Sequence, residues 1–102
     1  PQINQNVPSA LEMAKQLGME GFLTKPVETL SFGQRQRIAL IRTLRKPFKL
    51  LLLDEPFSHL DQENTNLASN LINEIARANQ ATALVTSLGE VAPLSFDRIL
   101  SL

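Results

Sequence analysis

The sequence predicts an α/β fold in which helices flank a parallel sheet. Three observations carry that prediction. The run Lys49 to Leu53 is apolar without polar alternation, the pattern of a parallel strand covered on both faces. A helical stretch from Asp61 to about Asn79 places Leu67, Leu71, Ile72 and Ile75 on one face. A second apolar strand, Ala81 to Thr86, follows directly, and strand, helix, strand in that order implies a right-handed parallel crossover.

The remaining elements follow from local chemistry. Residues 1 to 8 are polar and bounded by prolines, which predicts a loop. Ser9 with Glu12 forms a capping box that opens a helix running to about Leu17, where Gly18 stops it. Met19 to Thr29, with Gly21 and Pro26, reads as a connector. Ser31 with Gln34 repeats the capping box and opens a second helix, which must end before Pro47 because the residue ahead of a proline is pushed out of helical geometry. Its centre, Ile38 to Ile41, is apolar on nearly every side and is expected to be buried. Asp61 caps the long helix, and Ile99 to Leu102 reads as a short third strand.

With 102 residues, 43% of them hydrophobic, and zero formal net charge, the chain fits at most one soluble globular domain. Its longest unbroken apolar runs hold four residues, such as Leu50 to Leu53, against the roughly 20 that a membrane helix needs. Cysteine is absent, so disulfides and thiolate metal sites are excluded. The balanced charge hides an asymmetry. Arg35, Arg37, Arg42, Arg45, Lys46 and Lys49 occupy Thr29 to Leu53 without one acid, and Asp54, Glu55, Asp61, Glu63 and Glu74 follow. Only one aromatic, Phe48 between Lys46 and Lys49, falls among the basic positions, so nucleic acid is not the expected partner, and the cations read as a solvated helix edge.

Two clusters carry chemistry. A helix N-terminus exposes unpaired N–H groups and the positive end of the dipole, which suits a phosphate. There Ser31 offers a hydroxyl that can cap its helix and still donate, and Gly33 permits close backbone approach. Alone, that cluster is also what an ordinary helix cap looks like. Asp54 and Glu55 stand together at the C-terminal end of a parallel strand, where ligands of open α/β sheets gather. If the chain turns at Pro56, one carboxylate can help hold magnesium while its neighbour orients or deprotonates a water. A pair of solvated loop acids is the plainer alternative.

Taken together, "LSFGQRQR", "KLLLLDEPFSHLD" and "LVTS" ahead of "DRI" have the order and spacing of ATP-binding cassette (ABC) ATPases, which the sequence resembles from about Ser9 to Leu102. The resemblance implies a partial P-loop NTPase, RecA-like parallel sheet with a remnant of the helical signature subdomain. Residues 1–46 would hold that subdomain and the signature helix, and residues 47–102 the Walker B, D-loop and switch-strand region. It further implies that Leu30 to Gln34 form the signature motif, with Ser31, Gly33 and Gln34 at the γ-phosphate of ATP held by a partner cassette. Asp54 would sit on the Mg2+ shell, Glu55 would be the catalytic base, and Ser58 to Asp61 would form the loop that senses the partner. His59, at a variable position of that loop, reads as a surface residue. The implied partners are a second ABC ATPase subunit and transmembrane transporter subunits, at the cytoplasmic face of a membrane.

The sequence departs from that pattern in three places. Phe32 stands where the signature has its first glycine, and Ser87 where the family has its switch histidine. None of the four glycines, Gly18, Gly21, Gly33 and Gly89, fits G-x-x-x-x-G-K-[ST], the Walker A loop that cradles phosphates. The expectation is therefore a C-terminal fragment of a cassette that binds ATP poorly alone and self-associates through its unpaired strand edges and apolar faces. Two alternatives stay open. One is a degenerate, non-hydrolysing regulatory cassette; the other is the C-terminal lobe of a chromosome-maintenance or DNA-repair ATPase, against which the lack of upstream heptads counts.

Overall fold

A computed structural model describes residues 7–86. The expected strand at Ile99 to Leu102, the start of the N-terminal loop and Ser87 lie outside the described residues.

Helix α1 (Ala10–Gln16) starts where its capping box predicts: the Glu12 N–H donates to Ser9 Oγ at 3.2 Å, and the Ser9 N–H donates to Glu12 Oε1 at 3.2 Å. It stops at Gly18, whose φ of 68° is the left-handed geometry that glycine adopts without steric cost. The Met19 N–H then reaches back to the Ala14 carbonyl at 2.7 Å and the Gly18 N–H to Lys15 at 3.2 Å, the paired bonds of a Schellman ending. The connector holds one 3₁₀ turn, Val27–Thr29, before helix α2 (Phe32–Leu44). Strand β1 (Leu50–Asp54), helix α3 (Gln62–Ala78) and strand β2 (Thr82–Thr86) complete the crossover. β1 and β2 pair in parallel, from Leu50 opposite Thr82 to Asp54 opposite Thr86.

β2 starts one residue later than expected, because the end of α3 claims Ala81. Gln80 adopts φ 52°, and the Ala81 N–H donates to the Ala76 carbonyl at 2.8 Å, a second Schellman ending that holds Ala81 on the helix. Lys49 adds to this end by donating from Nζ to the Asn79 carbonyl at 2.8 Å.

One core joins the helices to the sheet: Met13, Leu17, Ile41, Leu44, Leu71 and Ile75 are buried with Leu51 and Ala83. The expectation that both faces of β1 are covered does not hold among the described residues. Leu51 is 4% exposed, but Leu50 and Leu52 are 56% and 66% exposed. The physical reason is the pleat. Alternate side chains point to opposite faces, and the buried positions of both strands share the helical side. Two smaller corrections have the same geometric origin. Leu67 lies beyond the edge of the buried stripe of α3, which is built from Ala68, Leu71, Ile72, Ile75 and Ala76. In α2, Ile38, Leu40 and Ile41 are buried while Ala39 is exposed, so the helix keeps one solvent face. No helix among the described residues is long and apolar enough to cross a membrane.

Candidate functional site

The N-terminus of α2 is closed by its own side chains. The Gln34 N–H donates to Ser31 Oγ at 3.1 Å, and the Ser31 N–H donates to Gln34 Oε1 at 2.9 Å. The Ser31 hydroxyl keeps its proton for an outside acceptor, whereas the Gln34 side-chain oxygen is committed to the cap. Phe32 and Gly33 are the first two residues of the helix, and their N–H groups have no carbonyl one turn back to bond. Dipole, hydroxyl and open N–H groups converge as an anion requires.

Gly33 has a second constraint that its place in the motif does not reveal. A Cβ there would lie 2.8 Å from the His59 carbonyl oxygen, closer than side chains tolerate. Its missing side chain is therefore demanded by the loop after β1, whatever the ligand. The Phe32 ring, 69% exposed, stacks on the His59 imidazole with centroids 5.4 Å apart and planes 27° apart. The Arg35 guanidinium stands 5.7 Å from the same ring centre. His59 is exposed, as expected, but it is a stacking partner and not a bare surface residue.

The acids stand at the C-terminal end of β1. Asp54 is its last residue, and the Thr86 hydroxyl from the neighbouring strand donates to Asp54 Oδ1 at 2.6 Å. That bond fixes one carboxylate oxygen and leaves the other for a ligand. Glu55 leaves strand geometry altogether. Its φ is 48°, left-handed for a residue with a side chain, a conformation that costs about 1–2 kcal/mol. The chain bends at Glu55 and turns from Pro56 onward as expected, with the Ser58 N–H facing the Glu55 carbonyl at 3.4 Å. The Glu55 N–H donates to the Thr86 carbonyl at 3.0 Å, which anchors the bend to β2. Asp61 lies farther along and caps α3, accepting the Asn64 N–H at 2.8 Å.

Gln36 joins the two clusters. Its Nε2 donates to the Glu55 carbonyl at 3.0 Å and to Ser58 Oγ at 3.1 Å, while its Oε1 accepts the His59 N–H at 3.0 Å. Arg37 fixes the helix behind the site, donating to the carbonyls of Gly33 and Leu17 and to Asn64 Oδ1. Sequence reasoning missed Gln36, Arg37 and Thr86. Arg37 counted only as a charge, yet it is half-buried and bonded in the structure. A usable signal existed for Gln36: three residues after Gly33, it shares that glycine's helix face.

Among the described residues no three potential ligands cluster as a metal cage. Asp54 with adjacent Glu55 instead fits Mg2+, which keeps several waters and takes one or two carboxylates alongside phosphate oxygens.

Gly33→Ala is expected to force the 58–60 segment away from α2 and to destabilise the protein by about 1–3 kcal/mol in chemical denaturation. Wild-type stability in that variant would show that the contact at His59 yields without cost.

Known proteins are similar to this chain in sequence. Residues 3–58 match the family model described as ABC transporter. The thiamine import ATP-binding protein ThiQ of Haemophilus ducreyi is 42% identical over 90 residues, covering 87% of this chain and 42% of the relative. ThiQ of Salmonella choleraesuis is 44% identical over 75 residues, covering 74% of this chain and 32% of the relative. A putative ABC transporter ATP-binding protein of Pyrococcus furiosus is 33% identical over 88 residues, covering 86% and 32%. The chain spans less than half the length of these relatives. The family model covers more than half of the chain, from the first capped helix through the signature-like turn to the acids after β1, and the chain belongs to the ABC transporter family.

Proposed function

We propose that this chain is the portion of an ABC transporter ATP-binding subunit that supplies signature motif, Walker B strand and D-loop to composite ATP sites energising membrane transport. One observation carries the reading: α2 presents Ser31 and Gly33 at its open N-terminus, and the same helix is hydrogen-bonded through Gln36 to the loop holding Glu55. Family membership and the ATP-binding relatives support it.

In this reading Ser31 and Gly33 meet the γ-phosphate of ATP bound to a partner cassette, with Gln34 holding the cap in shape. Asp54, oriented by Thr86, would hold Mg2+, which would supply charge neutralisation at the phosphates. Glu55 accepts a proton from the attacking water, and Asp61 stands at the loop facing the partner subunit. Residues 1–46 carry the helical subdomain and signature helix, and residues 47–102 the RecA-like core with Walker B and the switch strand. The Walker A loop comes from elsewhere in a complete cassette. Two such cassettes dock on transmembrane subunits at the cytoplasmic side of a membrane, and the thiamine import proteins among the relatives support import as the direction. A non-hydrolysing regulatory cassette is the second reading, favoured by Ser87 at the switch position.

In a complete cassette carrying this chain, Glu55→Gln is expected to lower ATP turnover by about 10²–10⁴-fold while nucleotide binding persists, measured by phosphate release and equilibrium binding. Normal turnover would move the base to another residue. The absence of turnover before mutation, with ATP still driving dimerisation, would favour the regulatory cassette.

The 102-residue chain alone is expected to self-associate through the exposed face of β1, because Leu50 and Leu52 stand exposed together on a strand with one edge unpaired among the described residues. Replacing both by threonine should shift the light-scattering mass toward monomer. A wild-type chain that is already monomeric at high concentration would contradict this.

A further inference from the structure

We infer that Gln36 is a positioning residue: its side-chain amide clasps the loop after β1 to the signature helix and sets the direction of the Glu55 carboxylate. The inference rests on the functional reading of Glu55 above, but its geometry stands independently.

The amide's orientation is fixed by its partners. The Glu55 carbonyl can only accept, so it must face Nε2; the His59 N–H can only donate, so it must face Oε1. Three bonds therefore span from one helical residue to positions 19, 22 and 23 residues later in the chain. Gly33 and Phe32 add two more contacts between the same elements, the His59 carbonyl approach and the Phe32–His59 stack. These five contacts make the first two turns of α2 and residues 55–59 a single body.

Within that body, Glu55 holds a left-handed φ that a side chain disfavours. Two bonds to its backbone help keep it there. The Thr86 carbonyl takes its N–H on one side, and Gln36 donates to its carbonyl on the other. The Ser58 N–H also points at that carbonyl, but at 3.4 Å it is the weaker donor. Loss of the Gln36 donor lets the peptide after Glu55 rotate and φ relax toward negative values, which swings the carboxylate away from the end of β1. Gln36 does not touch substrate. It acts through Glu55, and it links the helix end that meets one nucleotide to the base that serves another.

Two variants separate the arms of the clasp. Gln36→Ala removes all three bonds. Gln36→Glu keeps an acceptor for the His59 N–H but cannot donate to the Glu55 carbonyl. On the 102-residue chain, amide hydrogen exchange at His59 should accelerate in Gln36→Ala and stay near wild type in Gln36→Glu. In a complete cassette both variants should lower kcat for ATP by about 10- to 100-fold, the scale of a misplaced catalytic group. KM for ATP should stay within about twofold, since ground-state binding is untouched. Unchanged His59 protection in Gln36→Ala would remove the clasp. Normal kcat in Gln36→Glu with His59 still protected would overturn the positioning role, and so would parallel losses in kcat and ATP affinity. Because exchange is read on the chain itself, a cassette without turnover would sink the functional reading while His59 still decides the clasp.

Discussion

The close approach between the first turns of α2 and the loop after β1 is the constraint on which the rest of this structure depends. It requires a glycine at position 33, since any Cβ would meet the His59 carbonyl at 2.8 Å. It also requires a side chain at position 36 that donates and accepts at once, which among residues of that length only glutamine supplies. The two demands recur three residues apart, on one helix face. They bring a phosphate-competent helix end against the loop of Glu55, whose backbone is held in left-handed geometry. Without that contact, Ser31 would be an ordinary cap and Asp54–Glu55 an ordinary pair of loop acids.

The remainder of the fold holds these elements still. Arg37 ties α2 to the end of α1 and to Asn64 at the start of α3, so the helix that carries Gln36 is fixed at its back as well as its front. Two Schellman endings stop α1 and α3 sharply, and the second delivers the chain straight into β2. β2 in turn supplies Thr86, whose hydroxyl orients Asp54 and whose carbonyl holds Glu55. Helices cover one side of the sheet, and the other side offers Leu50 and Leu52.

The sequence made local events legible where their chemistry is local. Both capping boxes, the stop at Gly18 and the Asp61 cap are written within four residues of where they act, and each forms as read. The parallel crossover was legible because burial repeats with the period of the element. Events that depend on distant neighbours were not legible. A leucine run cannot say whether a second layer lies over it, so β1 read as covered on both faces although Leu50 and Leu52 are exposed. Likewise Gly33 read as room for a ligand, because nothing nearby in sequence announces a carbonyl 26 residues on. Gln36 and Thr86 were silent for the same reason: their partners lie 19 or more residues away. The turn at Pro56 forms as read, but the left-handed φ of Glu55 just ahead of it was not legible, because a proline marks a turn without saying what backbone the preceding residue must adopt.

The account centres on the open end of α2 as one half of an ATP site completed by a second cassette. Sedimentation velocity of a complete cassette carrying this chain, with and without ATP, tests that most directly when Ser31 is compared with Ser31→Arg. The account predicts that ATP converts the Ser31 form from monomer to dimer, while Ser31→Arg binds ATP yet stays monomeric because its side chain fills the space of the γ-phosphate. A dimer forming at the same ATP concentration in both proteins would show that this helix end does not meet the nucleotide.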